Sequence, residues 1–382
     1  MHFIHTADIH LGAAPEVGER YKEQRKREIW DTFRRLLRRC EEERVELLLI
    51  AGDLFHRQPL KRELKEVNAM FAQLSVTQVV LIAGNHDYIG KNSAYREFVW
   101  AENVHPLFSS EMQSVVFPEL KLAVYGFGYD KREITEAKYD AAEAPGEYPY
   151  EILLAHGGDG THIPMNFRKM QSLGYSYIAM GHIHKPQIFA GEERNPASQN
   201  FFSKGQYREQ AMAYAGALEP IDAGDLGKHG YIEGVLDEKG CRVKFCPFAC
   251  RSYQELTVKV GSEMSLAELR AKLCRLTMSE EQNRDFYRIR LEGSKHPGQE
   301  FCLEELDESG RILKLEDQTH PDYDFERLAA ENRGNLLGEY IASFLDTDTG
   351  RDGTGAHDLG TPEMGTLERM ALYEGVKALL GE

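Results

Sequence analysis

The chain has 382 residues, too many for one small core, which points to two or three domains. Apolar residues make up 42% and charged residues 28%, near the globular average, which excludes disorder for the bulk of the chain. A net charge of −16 argues against a general polyanion or membrane-surface binder, but a local basic stripe or a metal pair can still supply positive field.

No apolar run approaches the roughly 18 residues of a membrane helix. The first residues carry no basic region or apolar stretch of signal-peptide kind, and an acid enters early at Asp8. Six cysteines without any Cys-x-x-Cys pair fit a reducing compartment. The expectation is a soluble cytoplasmic protein that does not engage a membrane.

In chain order, residues 3–6 read as a short strand. Residues 21–43 read as a helix, with Ile29, Phe33, Leu36, Leu37 and Cys40 at helical spacing. A buried strand at 46–50, a helix at 61–74 and a strand at 78–82 follow. Strands are expected at 121–125, 151–155 and 177–180, with a helix near 165–172. Apolar runs alternating with helical patterns mark a layered α/β domain. The polar, unpatterned segment 191–210 reads as a surface insertion. Strands at 211–215, 231–236 and 243–245 are expected in a second sheet packed on the first. A boundary falls near Cys250, beyond which 255–260, 266–276 and 285–291 read as strand, helix and strand. Helices near 335–344 and 364–380 flank a linker at 346–360 rich in Gly, Asp and Thr.

Five of these strands run into metal-ligand residue types. The first is followed by Asp8 and His10, the second by Asp53 and the third by Asn85, His86 and Asp87. Strand 151–155 meets His156, and strand 177–180 leads into His182 and His184. Ligands of open α/β sheets gather beyond the carboxyl ends of the strands, so five such ends can share one crevice. Imidazole mixed with carboxylate suits divalent manganese, iron or zinc, whereas an all-oxygen set would suit magnesium or calcium. Two ions ~3.5–4 Å apart can clamp the attacking and leaving oxygens of a phosphoryl displacement. Asp53, alone in its loop, is the natural bridging carboxylate. His86 is a plausible general acid beside the metals, with Asp87 as the carboxylate that orients its ring. His162 is a rival ligand by type, ranked below His156 because it lies past two glycines and away from the strand end.

Asp8-x-His10, Gly52-Asp53, Gly84-Asn85-His86-Asp87, His156 and Gly181-His182-x-His184 resemble the five signature motifs of calcineurin-like metallophosphoesterases. The finer spelling, His5-Thr6-Ala7-Asp8-Ile9-His10-Leu11-Gly12 and Ala51-Gly52-Asp53-Leu54-Phe55-His56, resembles the SbcD-type DNA repair nucleases, including their YhaO-like branch. The similarity is specific over residues 1–190; beyond about 250 only the size and position of a cap-like domain match.

The resemblance implies a four-layer α-β-β-α sandwich with a smaller α+β capping domain and a helical C-terminal tail. The corresponding divisions are a nuclease domain at 1–250, a cap at 251–330, and a linker with C-terminal helices at 331–382. It assigns one metal to Asp8, His10, Asp53 and His184, and a second to Asp53, Asn85, His156 and His182. His86 would protonate the leaving oxygen, with Asp87 behind it. The implied cofactors are two divalent ions, manganese first, with iron, zinc or magnesium as alternatives. The implied activity is 3′-to-5′ exonuclease with endonucleolytic nicking of single strands or hairpins. DNA and an SbcC-like or YhaN-like coiled-coil ATPase are the implied partners, and a homodimer is open. The same metal core also serves phosphoesterases of small diesters, nucleotides or phosphoproteins, which the net charge favours.

Four further features carry two readings each. Nine bases between Arg20 and Arg39 either track phosphate or form a solvated helix face, and Arg57 is equally divided. Trp30 and Trp100 read as core before they read as base-stacking residues. Cys241, Cys246 and Cys250 lack zinc spacing and read as small apolar residues. The helix at 364–380 either docks on its own domain or serves a partner.

Overall fold

A computed structural model of the protein describes residues 1–15, 17–189, 208–209, 212–278, 284–345 and 366–381. Apart from 208–209, the insertion expected at 191–210 lies outside the described residues, as does the linker at 346–360. The chain divides into two compact units, Met1–Gln254 with Arg284–Phe286, and Glu255–Asn283 with Tyr287–Glu382.

The first unit opens with β1 (His2–Thr6), α1 (Glu19–Glu42), β2 (Leu47–Ala51), α2 (Lys61–Phe71) and β3 (Gln78–Ile82). Next come β4 (Val104–Pro106), β5 (Gln113–Phe117), β6 (Leu122–Gly126), β7 (Tyr150–His156), α3 (Phe167–Gln171) and β8 (Tyr177–Gly181). It continues with β9 (Gln187–Phe189), β10 (Arg208–Glu209), β11 (Met212–Tyr214), β12 (Gly230–Asp237) and β13 (Gly240–Pro247).

These strands form two sheets, one in the order β10-β13-β12-β1-β2-β3-β4 and one in the order β5-β6-β7-β8-β11-β9. The strands β1 to β4 pair in parallel, as do β6, β7, β8 and β11. Side chains alternate faces along a strand, and the sequence uses both faces of the central ones. Leu48 and Ile50 of β2 pack against Ile29, Phe33 and Leu36 of α1 and Leu64, Val67 and Phe71 of α2. Leu47 and Leu49 point the other way, into a core shared with Leu122, Val124, Ile152 and Leu154 of the second sheet. Leu153 and Ala155 of β7 face outward onto Tyr139, Met170 and Leu173. The unit is thus a four-layer α-β-β-α sandwich. α1 stops at its C-cap Glu43, and the next residue, Arg44, takes a left-handed φ of 50°.

The expectation for residues 211–245 needs a correction. β11 joins the second sheet beside β8, but β12 and β13 extend the first sheet, with β12 antiparallel to β1. A hairpin of alternating residues carries no mark of which sheet edge it will meet.

The strand β14 (Tyr253–Val260) leads into the second unit, with α4 (Leu266–Met278), β15 (Phe286–Lys295), α5 (Leu303–Leu306) and β16 (Ile312–Pro321). These strands form a sheet in the order β14-β15-β16 over a core of Val258, Leu269, Leu273 and Ile289. The helices α6 (Phe325–Glu331), α7 (Leu336–Leu345) and α8 (Thr366–Leu380) share a small core of Tyr323, Phe325, Ile341, Leu372 and Val376. No helix among the described residues is long and apolar enough to cross a membrane.

Candidate metal centre

Beyond the carboxyl ends of β1, β2, β3, β7 and β8, five loops are tied together by their backbones. Asp8 and His10 donate their N–H groups to the carbonyls of Gly52 and Asp53, at 3.2 and 3.0 Å. His86 N–H donates to Asp53 Oδ1 at 2.8 Å, and His182 N–H to Asp8 Oδ2 at 2.9 Å. Gly157 N–H reaches the Gly181 carbonyl at 3.2 Å.

These loops hold strained backbone. Seven described residues other than glycine have positive φ, and Asp8 (47°), His10 (50°), Asp53 (51°) and His182 (97°) are four of them. Such conformations disfavour side chains and persist only where surrounding structure over-determines them, which is characteristic of functional sites. Gly52 has φ 89°, and a Cβ there would strike the His156 ring. A Cβ at Gly84 would strike the Asp53 carboxylate. Both positions admit only glycine, so the sequence permits these side chains to meet.

The seven ligands expected from sequence converge. Ligand atoms of Asp8, His10 and His184 lie within 4.8 Å of one another, as do those of Asp8, Asp53 and His156. His10 Nε2 and His184 Nε2 are 3.1 Å apart, and His10 Nε2 is 3.9 Å from Asp53 Oδ2. Asn85 Oδ1 lies 2.9 Å from His156 Nε2 and 3.1 Å from His182 Nδ1. His156 Nε2 is also 3.4 Å from Asp53 Oδ2. Asp8, His10, Asp53 and His156 are buried to 1% exposure or less, and Asn85 to 4%.

The donor chemistry fits a divalent ion. His156 Nδ1 donates to the Ala51 carbonyl at 2.8 Å, which leaves the Nε2 lone pair facing two oxygens. Lone pairs turned on one another in a buried pocket demand a cation between them, either a proton or a metal. Protons show the demand. Burial alone would keep His156 and His184 neutral, but Asp53 lifts the first and Asp225 with Asp8 the second, each to about 9. His10 is driven well below its usual range by burial. Burial likewise raises Asp8 to about 6. Asp53 is also buried, yet His156, His10 and His86 together hold its carboxyl well below the ordinary value.

His86 is half-buried at the rim, its ring 4.8 Å from that of His10 and stacked at 4.9 Å on that of His56. Its Nδ1 lies 2.9 Å from the His56 carbonyl oxygen. Asp87 departs from the role expected for it. Its carboxylate accepts from Gly84 N–H (2.8 Å), Phe55 N–H (3.2 Å) and the Tyr95 hydroxyl (2.8 Å), so it ties the loops together and the His56 carbonyl orients His86. Burial and the charge of Asp53 raise Asp87 to about 7.

His162 lies beside His182, with ring centroids 4.6 Å apart and its Nδ1 2.9 Å from Asp159, and the ligand atoms of these three residues form a further group within 4.8 Å. Sequence reasoning missed Asp159, which meets His182 Nε2 at 2.8 Å, and Asp225, which meets His184 Nδ1 at 3.0 Å. It also gave no role to His56. His56 places a ring nitrogen 3.4 Å from that of His10 and stacks on His86, and the ligand atoms of these three histidines lie within 4.8 Å of one another.

The basic stretch of α1 is largely paired. Arg25 is fully buried against Glu28 and Glu219, which removes it from any phosphate. Lys22, Lys26, Arg34 and Arg39 pair with Glu19, Glu23, Asp31 and Glu43, and Arg57 with Glu63. Trp30 and Trp100 pack against the helix-side core, and all six cysteines are free thiols.

Residues 1–186, which carry all five convergent carboxylate and histidine loops, match the calcineurin-like phosphoesterase family. The enzymes of this family are hydrolases that use divalent metal ions. The chain is similar to the uncharacterized metallophosphoesterase YhaO of Bacillus subtilis, 30% identical over 212 residues, which are 50% of this chain and 50% of that protein. It is also similar to the DNA double-strand break repair protein Mre11 of Methanocaldococcus jannaschii, 26% identical over 296 residues (72% of this chain, 74% of that protein). The Mre11 of Methanopyrus kandleri is 24% identical over 373 residues (87% of this chain, 76% of that protein). The chain therefore spans half the length of YhaO and about three quarters of these two Mre11 proteins.

Proposed function

We propose that the protein is a two-metal phosphodiesterase acting on DNA, an exonuclease that removes nucleotides from 3′ ends and also nicks single strands or hairpins. The observation that carries the reading is the convergence of Asp8, His10, Asn85, His156, His182 and His184 with Asp53, in a chain similar to named DNA break repair proteins. Asp8, His10, Asp53 and His184 would hold one ion, and Asp53, Asn85, His156 and His182 the other. The donor mixture suits manganese, with iron or zinc as alternatives. Two divalent ions held there would supply Lewis acidity toward water and the phosphate.

The remaining work falls to side chains. The His86 Nδ1–H donates to the His56 carbonyl, which fixes the tautomer and leaves Nε2 for proton exchange. A proton held at Nε2 passes to the departing sugar oxygen. The His86 N–H on Asp53 Oδ1 sets the distance between that ring and the shared carboxylate. Asp87, locked by three donors, keeps the loop from relaxing. A coiled-coil ATPase of SbcC or YhaN type is the partner that this reading implies.

A second reading, hydrolysis of small diesters, is favoured by the net charge of −16. Parallel assays separate the two: linear duplex DNA and bis-4-nitrophenyl phosphate, each with manganese, from about 50 to about 200 mM salt. DNA cleavage should fall by on the order of tenfold or more as released counterions oppose binding, while turnover of the small diester changes little. Equal slopes would contradict the DNA reading, and no turnover of either substrate would contradict both.

A further inference from the structure

The two histidines of the Gly181-His182-Ile183-His184 turn face the centre with different nitrogens. His182 turns Nδ1 toward Asn85 Oδ1 at 3.1 Å, which leaves Nε2 outward. His184 turns Nε2 toward His10 at 3.1 Å, which leaves Nδ1 outward. Each outward nitrogen meets a carboxylate from a different loop. Asp159 Oδ2 lies 2.8 Å from His182 Nε2, and Asp225 Oδ1 lies 3.0 Å from His184 Nδ1. A neutral imidazole has one N–H, so a carboxylate on one nitrogen places the lone pair on the other. With its N–H on the outer carboxylate, each neutral ring would turn its lone pair inward.

The two carboxylates are themselves held. Asp159 Oδ1 accepts from Thr161 N–H and His162 N–H, both at 2.8 Å. Asp225 Oδ2 accepts from Ile221 N–H and Asp222 N–H, both at 2.9 Å. Their surroundings differ. The Asp225 side chain is 9% exposed and that of Asp159 43%, and Asp159 also serves the His162 ring.

We propose that Asp159 and Asp225 are positioning residues, each dedicated to one metal ion: Asp159 sets the tautomer and angle of His182, and Asp225 those of His184. The proposal rests on the two-metal reading above. A carboxylate behind a ligating histidine fixes ring orientation and raises ligand basicity, and its loss weakens metal binding by roughly 10- to 100-fold. The two losses fall on different ions. The Asp225 side chain is the less exposed of the two, so its removal should weaken binding more than removal of Asp159.

The test is manganese alone, titrated into metal-free wild type, Asp159→Ala and Asp225→Ala, with bound metal counted by mass spectrometry and the spin coupling of the pair read by electron paramagnetic resonance. The wild type should hold two coupled ions. Each variant should keep one ion at near wild-type affinity and bind the second about 10- to 100-fold more weakly, with an uncoupled signal at one equivalent. Asp159→Asn and Asp225→Asn, which keep an acceptor oxygen, should fall between, and they carry the test if an alanine variant fails to fold. Two ions held by both alanine variants with unchanged affinity and coupling would overturn the positioning roles while leaving the two-metal reading intact. A wild type that binds no manganese pair would overturn that reading itself.

Discussion

His86 reaches the cluster of buried donors by its backbone and its ring together, and its proposed role is that of a general acid. Its N–H fixes Asp53, and its Nδ1 is committed to the His56 carbonyl. His86→Ala should leave metal content unchanged and lower kcat for a small diester by roughly 10²- to 10⁴-fold, the range for removing a general acid. Steady-state kinetics beside metal analysis checks this, and an accompanying loss of metal would make His86 a ligand. Gly52→Ala should be far more damaging than its size suggests, because it meets both a left-handed φ and the His156 ring. A thermal melt should show destabilisation of more than about 1 kcal/mol with weakened metal binding, and a wild-type melt would contradict the packing described. At this scale the converging donors are legible in the sequence because they follow apolar strands, and histidine or aspartate has no structural reason to recur at five strand ends. Asp159 and Asp225 were not legible, since a lone acid in a polar loop looks the same whether it faces water or an imidazole. Asp87 follows His86 in sequence, but its carboxylate is committed to Phe55, Gly84 and Tyr95.

Among elements, α1 is anchored by a buried ion network. Arg25 donates both terminal nitrogens to Glu219 at 3.1 Å, and Glu219 also accepts from Thr32 at 2.6 Å. Glu219→Ala would leave the Arg25 charge buried with fewer partners, and chemical denaturation should show a loss of about 3–5 kcal/mol. A loss below about 1 kcal/mol would mean that the network contributes little.

β12 and β13 carry a pH-sensitive contact. The His2 hydrogen bond to Glu233, with Cys246 and Lys244, outweighs partial burial and lowers its carboxyl to about 2. Because the folded value lies below the unfolded one of ~4.3, the stabilisation is full above that unfolded value and is lost as pH falls through it toward 2. Glu233→Gln should remove part of the stability difference between pH 6 and pH 3, by about 1–3 kcal/mol. Identical pH dependence in the variant and wild type would contradict this. Central strands such as β2 and β3 were readable as uninterrupted apolar runs, whereas β4, β9 and β10 span only two or three residues at or near sheet edges and left no pattern. β12 was found but misplaced, because its pairing of Val235 with His2 joins opposite ends of the unit.

For the whole molecule, the sandwich was legible from the alternation of elements, and the site from where those elements end. What recognises the substrate was not, because paired bases and free ones share one spelling, and Arg25 inside the protein reads the same as an arginine in solvent. The net charge of −16 places the burden of phosphate binding on the centre itself. Asp53 is common to both proposed ligand sets, so the account depends on it more than on any other residue. The most direct measurement is cleavage of end-labelled linear DNA by the purified chain with manganese and with chelator, beside Asp53→Ala. Manganese-dependent release of short labelled products is expected, abolished by chelator and by the substitution. Cleavage that survives chelator, or that persists in Asp53→Ala, would contradict it.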